Sequence, residues 1–370
     1  MKYYIIAGEA SGDLHGSNLM KALKEKDPQA QFRVWGGDRM AAEDGRLVKH
    51  FKDLAFMGFV EVIMNLRTIL GNLRFCKRDL DAYQPDVLIL IDYPGFNLRM
   101  AEYAHLKGYK VIYYISPQIW AWKQSRVHKI KRTVDRMLCI LPFEKDFYAG
   151  FNYEVDFVGH PLIDAIDGRV EFDPEQRKEE LGLSDKPVIA VLPGSRQQEI
   201  KIMLPIMLKA ATKKEEYQVV IAAAPSQDRG FYEEIIGNYQ VSIVEGKTYD
   251  LLEISEAALV TSGTATLETA LFKVPEVVCY KGSWMSYWIA RQLVKVNYIS
   301  LVNLIMDKEV VTELIQIDMN PGRIEKELDR CLKGDHRDKL LHQYSELIEK
   351  LGGTGASAQA AGIISEELGL

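Results

Sequence analysis

The segment VLILIDYPGFN, residues 87–97, decides the fold class of this chain. Its first five residues are all apolar, whereas a strand with one solvent-facing side would alternate apolar and polar residues. An unbroken apolar run of this length predicts a strand covered on both faces, as in the centre of a parallel sheet. Pro94 and Gly95 mark a turn, and a helical pattern begins near Asn97. The segment therefore predicts one strand–turn–helix repeat of an α/β sheet.

Similar apolar runs, each followed by a turn and a helical pattern, recur along the chain. They predict strands at Lys2–Ala7, Phe32–Trp35, Lys110–Ser116, Arg136–Leu141, Val155–Val158, Pro187–Leu192, Gln218–Ala224, Val241–Val244, Ala257–Thr261 and Pro275–Tyr280. A polar stretch at Asp164–Glu179 interrupts this rhythm, and 370 residues exceed what one core usually holds. We therefore predict two Rossmann-like, doubly wound α/β domains facing a cleft, at residues 1–165 and 166–340. Helices at 341–370 are expected to pack back on the first domain or on a partner chain.

Composition narrows the class of protein. The chain has 52 acidic and 46 basic residues, a formal net charge of −6, which argues against a general nucleic-acid binder. Its four cysteines are far apart, so neither a zinc site nor a disulfide framework is indicated. Only five apolar residues follow Lys2 before Gly8, too few for a signal peptide, and no apolar run is long enough to span a membrane. These features are typical of a cytosolic enzyme.

Two loops of the second domain have the composition of phosphate-binding sites. Gly194-Ser195-Arg196 and Ser262-Gly263-Thr264 each follow a predicted strand and precede a helix, where backbone N–H groups can hold an anion. Glu268, about one turn later, can accept two ribose hydroxyls, although an acid there also suits the helix dipole. Arg196 could likewise be a surface arginine beside a capping serine. Together the loops predict a site for a nucleotide diphosphate.

The first domain offers two candidate segments for catalysis. Residues 8–16, GEASGDLHG, have neither the dinucleotide nor the Walker A spacing, and a capped strand-to-helix turn is an equally good interpretation. Asp92 ends the central strand, where it could act as general base on a sugar hydroxyl or cap the next helix. His15 and His160 are competing bases, although a lone loop histidine is more often structural.

Two segments have the pattern of a membrane-binding surface. Residues 59–80 place apolar side chains at helical spacing with basic residues on the other face, and two tryptophans lead into a basic stretch at 123–136. Packing of the stripe on the sheet is the usual alternative. We predict contact with an anionic membrane or with acyl chains at Val62, Ile63, Leu66, Ile69, Leu70, Trp120 and Trp122.

Eight segments, in this order, resemble the lipid-A-disaccharide synthase family. They are GEASGDLHG (8–16), DLAFMGFVEV (53–62), IDYPGFN (91–97), SPQIWAWKQSRVHKIKR (116–132), LPFEKDFY (141–148), VGHPL (158–162), LPGSR (192–196) and SGTATLE (262–268). The resemblance continues through Asn297–Leu304 and Val310–Gln316, so it covers nearly the whole chain.

This resemblance implies a GT-B, inverting glycosyltransferase that needs no metal or other cofactor. It would join UDP-2,3-diacylglucosamine to 2,3-diacylglucosamine 1-phosphate, giving the β-1,6 lipid A disaccharide 1-phosphate and UDP. The first domain would bind the acceptor and the second the UDP-sugar. The enzyme would lie on the cytoplasmic face of the inner membrane of a Gram-negative-type bacterium, and a homodimer is a further expectation.

The resemblance also implies roles for individual residues. Asp92 is the preferred catalytic carboxylate, with Glu9 as the alternative. The UDP-sugar would contact Gly194, Ser195, Arg196, Ser262, Gly263, Thr264, Glu268, Asn303 and Gln316. The acceptor side would include Ser11, Gly12, Asp13 and His15. One departure is Val302, which stands where the family usually has proline before Asn303.

Two other classes stay open at this stage. One is another UDP-sugar GT-B enzyme, such as a peptidoglycan glycosyltransferase or a UDP-N-acetylglucosamine epimerase. The basic, tryptophan-containing segment argues against a soluble epimerase, which needs no membrane surface. The other is a non-catalytic nucleotide-sugar or lipid-binding protein, which would need no carboxylate at Asp92.

Overall fold

A computed structural model describes residues 1–54, 66–169, 172–282 and 297–370. The chain forms two units, one of Met1–Ala165 with Leu351–Leu370 and the other of Ile166–Lys350. Within the described residues, each unit has one parallel sheet with helices between its strands. The predicted class, two Rossmann-like α/β domains, is confirmed.

The sheet of the first unit has seven strands in the order β3-β2-β1-β4-β5-β6-β7. They are β1 Lys2–Ala7, β2 Gln31–Gly36, β3 Arg46–His50, β4 Val87–Ile91, β5 Lys110–Tyr114, β6 Arg136–Cys139 and β7 Asp156–Phe157. All five residues of β4 are buried between β1 and β5, in the register Ile5–Ile89–Ile112, as the apolar run predicts. The sequence does not predict β3, because this strand lies half-exposed at the edge of the sheet and has no apolar run.

Helices cover this sheet. The described ones are Ala10–Lys26, Asp38–Ala42, Leu66–Tyr83, Pro94–Leu106, Ile119–Trp122, Val127–Thr133, Glu144–Ala149, Pro161–Asp167 and Ala356–Leu368, with 3-10 turns at Phe51–Asp53 and Gln124–Arg126. Their apolar faces join the strands in one core, which includes the fully buried Trp35, Leu90 and Tyr113. Burial of such side chains at roughly 25 cal/mol per Å² is the main stabilising contribution.

The last segment of the chain completes the first unit. Backbone N–H groups of Gly355 and Ser357 donate to the Asp164 carboxylate at 2.6 and 2.9 Å, which anchors the start of the helix Ala356–Leu368 against the helix Ala10–Lys26. Lys110 and Glu367 form an ion pair at 2.7 Å near its end. The return begins at Leu351, because the preceding helix Asp335–Lys350 stays with the second unit.

The sheet of the second unit has six strands in the order β10-β9-β8-β11-β12-β13. They are β8 Val188–Leu192, β9 Gln218–Ala223, β10 Ser242–Glu245, β11 Ser255–Thr261, β12 Glu276–Tyr280 and β13 Thr312–Ile315. Its described helices are Pro174–Glu180, Gln197–Ala211, Arg229–Ile236, Thr248–Glu253, Thr264–Leu271, Leu301–Met306, Pro321–Leu332 and Asp335–Lys350. The sequence does not predict β13 as a strand, because TELI has two polar residues followed by only two apolar ones.

Glu276, the first residue of β12, has a buried side-chain carboxyl group. Neither of its carboxylate oxygens has a hydrogen-bond partner among the described residues, and its exposed fraction is 1%. Burial raises the pKa of Glu276 well above its ordinary value, and the nearby Glu313 carboxylate raises it further. The folded chain therefore holds a neutral acid that ionises in the unfolded chain above about pH 4.5, so stability falls as pH rises beyond that value.

We expect Glu276→Met to remove this pH dependence. The variant's gain in free energy of unfolding over the wild type should grow as pH rises above about 4.5, because only the wild type must protonate a carboxyl group in order to bury it. Urea denaturation at several pH values measures it, with the exposed Glu234→Gln as the control. Parallel pH profiles for the wild type and Glu276→Met would contradict the assignment.

Candidate functional site

The strand order of the first sheet reverses between β1 and β4, and two acids stand at that point. Ligands of open α/β sheets bind where the strand order reverses, beyond the carboxyl ends of the strands. Glu9 follows β1 and is the N-cap residue of the helix Ala10–Lys26, while Asp92 follows β4 directly. The structure therefore brings together the two carboxylates that the sequence analysis nominated for catalysis.

Asp92 lies in a turn of unusual backbone conformation. Asp92 and Tyr93 have φ values of +42° and +48°, in the left-handed region that non-glycine residues rarely adopt. The side-chain amide of Asn97 is fully buried and donates to the backbone carbonyls of Asp92 at 2.8 Å and Ile91 at 3.1 Å. The hydroxyl of Tyr113 also donates to the Asp92 carbonyl, at 2.5 Å. These bonds hold the turn in place, so the position of the Asp92 side chain is fixed by the strand ends.

Tyr93 explains why the first loop needs a glycine. Its ring lies directly on Gly8, where a Cβ atom would come within 2.3 Å of the ring carbons. The Tyr93 hydroxyl donates to the carbonyl of Leu54 at 3.2 Å, which holds the ring in that position. Sequence analysis missed Tyr93, and Gly8 alone gave too weak a signal to find it.

The surroundings of Asp92 suit a base that works near neutral pH. Burial raises the pKa of Asp92, the negative charge of Glu9 raises it further, and the Tyr93 N–H bond opposes them; the result is about 7. A carboxylate with a pKa near the working pH combines a useful ionised fraction with the greatest affinity for a proton.

The predicted acceptor-side residues lie at the start of the helix Ala10–Lys26, and they differ in what they can contact. Ser11 is exposed, whereas Gly12 packs so closely on β1 that a Cβ would lie 3.0 Å from that of Ala7. Asp13 is buried and accepts backbone N–H bonds from residues 37, 39 and 40 at 2.7–3.1 Å. The carboxylate of Asp13 therefore caps the helix Asp38–Ala42, while the N-cap position of the helix that contains Asp13 is Glu9.

The two histidines are poorer candidates for the base than Asp92. Both are buried, and burial lowers the pKa of His15 to about 4 and that of His160 to about 3. Nδ1 of His160 accepts the N–H of Leu162 at 3.2 Å, so that atom is already occupied. Imidazoles with such low pKa values bind protons weakly at neutral pH.

The second sheet repeats the arrangement, because its strand order reverses between β8 and β11. Gly194-Ser195-Arg196 follows β8 and Ser262-Gly263-Thr264 follows β11, so both predicted phosphate loops meet at one edge. Gly194 has φ +91°, and its Cα packs on Thr261, whose Cγ2 would lie 3.2 Å from an added Cβ. Arg196 is 69% exposed at its side chain and pairs with Glu199 at 2.9 Å. An exposed guanidinium at a helix start is available to an anion.

Glu268 stands in the second turn of the helix that begins after Gly263. Its side chain is half-buried, and Oε1 accepts the hydroxyl of Tyr249 at 2.8 Å. Burial raises the pKa of Glu268, and the bond from Tyr249 opposes that rise. Tyr249 was missed by the sequence analysis, because a lone tyrosine at the start of a short helix carries no motif.

The side-chain amides of Asn303 and Gln316 differ in how many hydrogen bonds they make within the protein. Nδ2 of Asn303 donates to Val311 and Glu313, and Oδ1 accepts the N–H groups of Val310 and Val311, all at 2.7–2.9 Å. A role of Asn303 in donor binding would therefore be indirect, through the loop that it holds. Gln316, with φ +54°, has a buried Nε2 without a hydrogen-bond partner among the described residues. The neighbouring Val302 is simply buried.

The predicted membrane-contact residues divide into three groups. Val62, Ile63 and the side chain of Leu66 lie outside the described residues. Along the described helix Leu66–Tyr83, the stripe packs on the sheet from Leu73 onward, whereas Ile69 is half-buried and Leu70 is 43% exposed.

The two tryptophans behave differently from one another. Trp120 is 7% exposed and packs edge-on against Phe143 at 4.9 Å, so its prediction as a surface contact is wrong. In a short helix only one of two alternate positions faces the core, and the sequence did not show which. Trp122 is 51% exposed, with the cations of Lys123 and Arg126 at 4.3 and 5.5 Å from its ring.

Within residues 1–54, 66–169, 172–282 and 297–370, no group of three or more histidine, cysteine or acidic side chains is placed to hold a metal ion. None of the helices described there is both long and apolar enough to cross a lipid bilayer.

The chain is similar to known proteins both in sequence and in fold. The family described as Lipid-A-disaccharide synthetase matches residues 3–366. Lipid-A-disaccharide synthase of Myxococcus xanthus is 41% identical over 378 residues, covering 98% of this chain and 97% of that protein. The enzyme of the same name from Syntrophus aciditrophicus is 42% identical over 366 residues, covering 96% and 95%.

Solved structures share the fold at low sequence identity. The UDP-GlcNAc 2-epimerase of Neisseria meningitidis, bound to UDP-GlcNAc, has a TM-score of 0.66 and 14% identity, covering 100% of this chain and 99% of that one. The glycotransferase of kitacinnamycin has a TM-score of 0.68 and 13% identity, covering 99% and 98%. Likeness at this identity shows the fold alone.

Proposed function

The chain belongs to the lipid-A-disaccharide synthetase family, and from that premise we propose which of its residues carry the reaction. It is a glycosyltransferase of lipid A biosynthesis, and the resemblance stated from its sequence is confirmed. Among the classes left open by the sequence, this one is favoured over an epimerase and over a non-catalytic binding protein. The likeness to epimerase structures carries no weight against it, because that likeness concerns the fold alone.

We propose UDP-2,3-diacylglucosamine as donor and 2,3-diacylglucosamine 1-phosphate as acceptor. The acceptor would bind to the first unit, by the loop 8–16, and the donor to the second, by the loops 194–196 and 262–264. The observation that supports this division most is the placement of each loop where its own sheet reverses its strand order.

The proposed reaction is a single displacement. The Asp92 carboxylate takes the proton of the acceptor 6-hydroxyl as that oxygen attacks the anomeric carbon of the donor. The bond between this carbon and the diphosphate oxygen breaks, and UDP leaves with the electron pair, which inverts the anomeric centre. Backbone N–H groups of the two loops and the Arg196 guanidinium would stabilise the charge that grows on UDP.

Asp92→Asn should lower kcat by about 10²- to 10⁴-fold, because an amide cannot accept the proton, and it should leave UDP affinity unchanged. Acceptor-dependent UDP release, compared with donor alone, measures the rate. Asp44→Asn is a matched control, since Asp44 is exposed and also has a left-handed backbone, with φ +64°. A near-normal rate for Asp92→Asn would exclude Asp92 as the base.

Glu9→Gln distinguishes the two carboxylates from each other. Activity requires an ionised base, so the rate should fall on the acidic side of about pH 7 in the wild-type enzyme. Removing the charge of Glu9 lowers the pKa of Asp92, so the acidic limb of kcat/KM should move to lower pH. Exposed Glu25→Gln serves as the control. Loss of all activity in Glu9→Gln would instead make Glu9 the base.

We further propose that the first unit binds an anionic membrane surface, the cytoplasmic face of the inner membrane of a Gram-negative-type bacterium. The helix Pro94–Leu106 packs against both Leu66–Tyr83 and Val127–Thr133, so these three helices form one layer. Leu70 and Phe75 are exposed apolar residues of this layer. Trp122, at the end of the helix Ile119–Trp122, is also exposed and lies beside the cations of Lys123 and Arg126. Apolar insertion and attraction to anionic lipid act together in such surfaces.

Trp122→Ser combined with Leu70→Ser should lower binding to phosphatidylglycerol-containing vesicles several-fold, and added salt should lower wild-type binding. Vesicle sedimentation measures both effects, and vesicles of phosphatidylcholine alone should bind less protein. Ile317→Ser removes an apolar side chain of the second unit that is even more exposed, and it is the control. Equal losses in both variants would contradict the proposed surface.

A further inference from the structure

Tyr249 is the polar contact of Glu268 that the family motif does not contain. It lies in the first turn of the helix Thr248–Glu253, and its hydroxyl donates to Glu268 Oε1 at 2.8 Å. This hydrogen bond uses only Oε1 of the Glu268 carboxylate, and Oε2 takes no part in it. A carboxylate held by one oxygen presents the other at a fixed position.

The ring of Tyr249 contacts two further side chains, those of Phe272 and Arg169. It packs on Phe272, just after the helix that carries Glu268, with ring centroids 5.2 Å apart. The Arg169 guanidinium lies 5.7 Å from the centroid of the Tyr249 ring, and that arginine is ion-paired with Asp250 and Glu253 of the same helix as Tyr249. These contacts restrict the rotation of the Tyr249 side chain, and they therefore fix the position of its hydroxyl.

The bond also affects the charge of Glu268. Burial raises the pKa of the Glu268 carboxyl and so favours its neutral form. In that form one of the two oxygens carries a proton and acts as a hydrogen-bond donor. The Tyr249 hydroxyl stabilises the ionised form, because it donates to the charged group. An ionised carboxylate can accept two neighbouring hydroxyls, as a ribose presents them.

We propose that Tyr249 is a positioning residue that fixes the Glu268 carboxylate to receive the 2′- and 3′-hydroxyls of a ribonucleoside diphosphate. Tyr249 thereby contributes to the preference for ribose over a sugar that lacks these hydroxyls. This inference rests on the proposed function, in which Glu268 is the ribose contact.

The test is a comparison of two ligands, UDP and 2′,3′-dideoxy-UDP, titrated calorimetrically into the full chain. Tyr249→Phe keeps the ring contacts and removes only the hydroxyl. We expect it to weaken UDP binding about fivefold, the usual effect of one lost hydrogen bond, and to change dideoxy-UDP binding less than twofold. Exposed Tyr239→Phe should change neither affinity.

The possible results separate the two levels of the proposal. An equal loss for both ligands in Tyr249→Phe would show a merely structural role and overturn the inference. If Glu268→Ala abolishes the preference for UDP while Tyr249→Phe leaves it intact, the ribose contact stands and the Tyr249 inference is overturned. If Glu268→Ala keeps the full preference for UDP, the ribose contact itself fails, and the proposed donor site loses that residue.

Discussion

The hydrogen bonds of the buried Asn97 amide are the interaction on which the candidate catalytic site depends. They satisfy the carbonyls at the end of β4, where the chain leaves the sheet in a left-handed turn. Without such partners, buried carbonyls in a strained turn would cost several kcal/mol, by roughly 1–3 for each group. One side chain inside the following helix thus holds the strand end, the strained backbone and the carboxylate of Asp92 in one arrangement.

The candidate sites of the two units differ in how their loops are built and in how exposed their polar groups are. In the first, the Tyr93 ring lies against Gly8, and the candidate catalytic group is the buried carboxyl of Asp92. In the second, Gly194 and Gly263 have positive φ, and the loops present exposed donors and a cation. A buried acid suits proton transfer, whereas exposed donors suit a diphosphate that arrives with its own charge.

The sequence predicted most strands because a central parallel strand is an unbroken apolar run, which needs no tertiary information to identify. It missed β3 and β13, which lie at sheet edges and have mixed composition. Individual side chains were harder to predict. Asp13 and Asn303 stand in the motifs, yet Asp13 accepts from the backbone of another loop, and Asn303 bonds residues of the following loop and strand. Trp120 turned inward while Trp122 did not. Which partner satisfies a polar group depends on packing, and no local pattern encodes it.

The return of residues 351–370 to the first unit has a consequence for the order of folding during translation. Asp164 is made before the whole second unit, but its partners Gly355 and Ser357 follow that unit in the chain. Since domains emerge from the ribosome N-terminal end first, the helix Ala10–Lys26 must wait for its partner helix until the second unit has been translated. Until then the face of the helix Ala10–Lys26 that packs on Ala356–Leu368 has no partner within the chain.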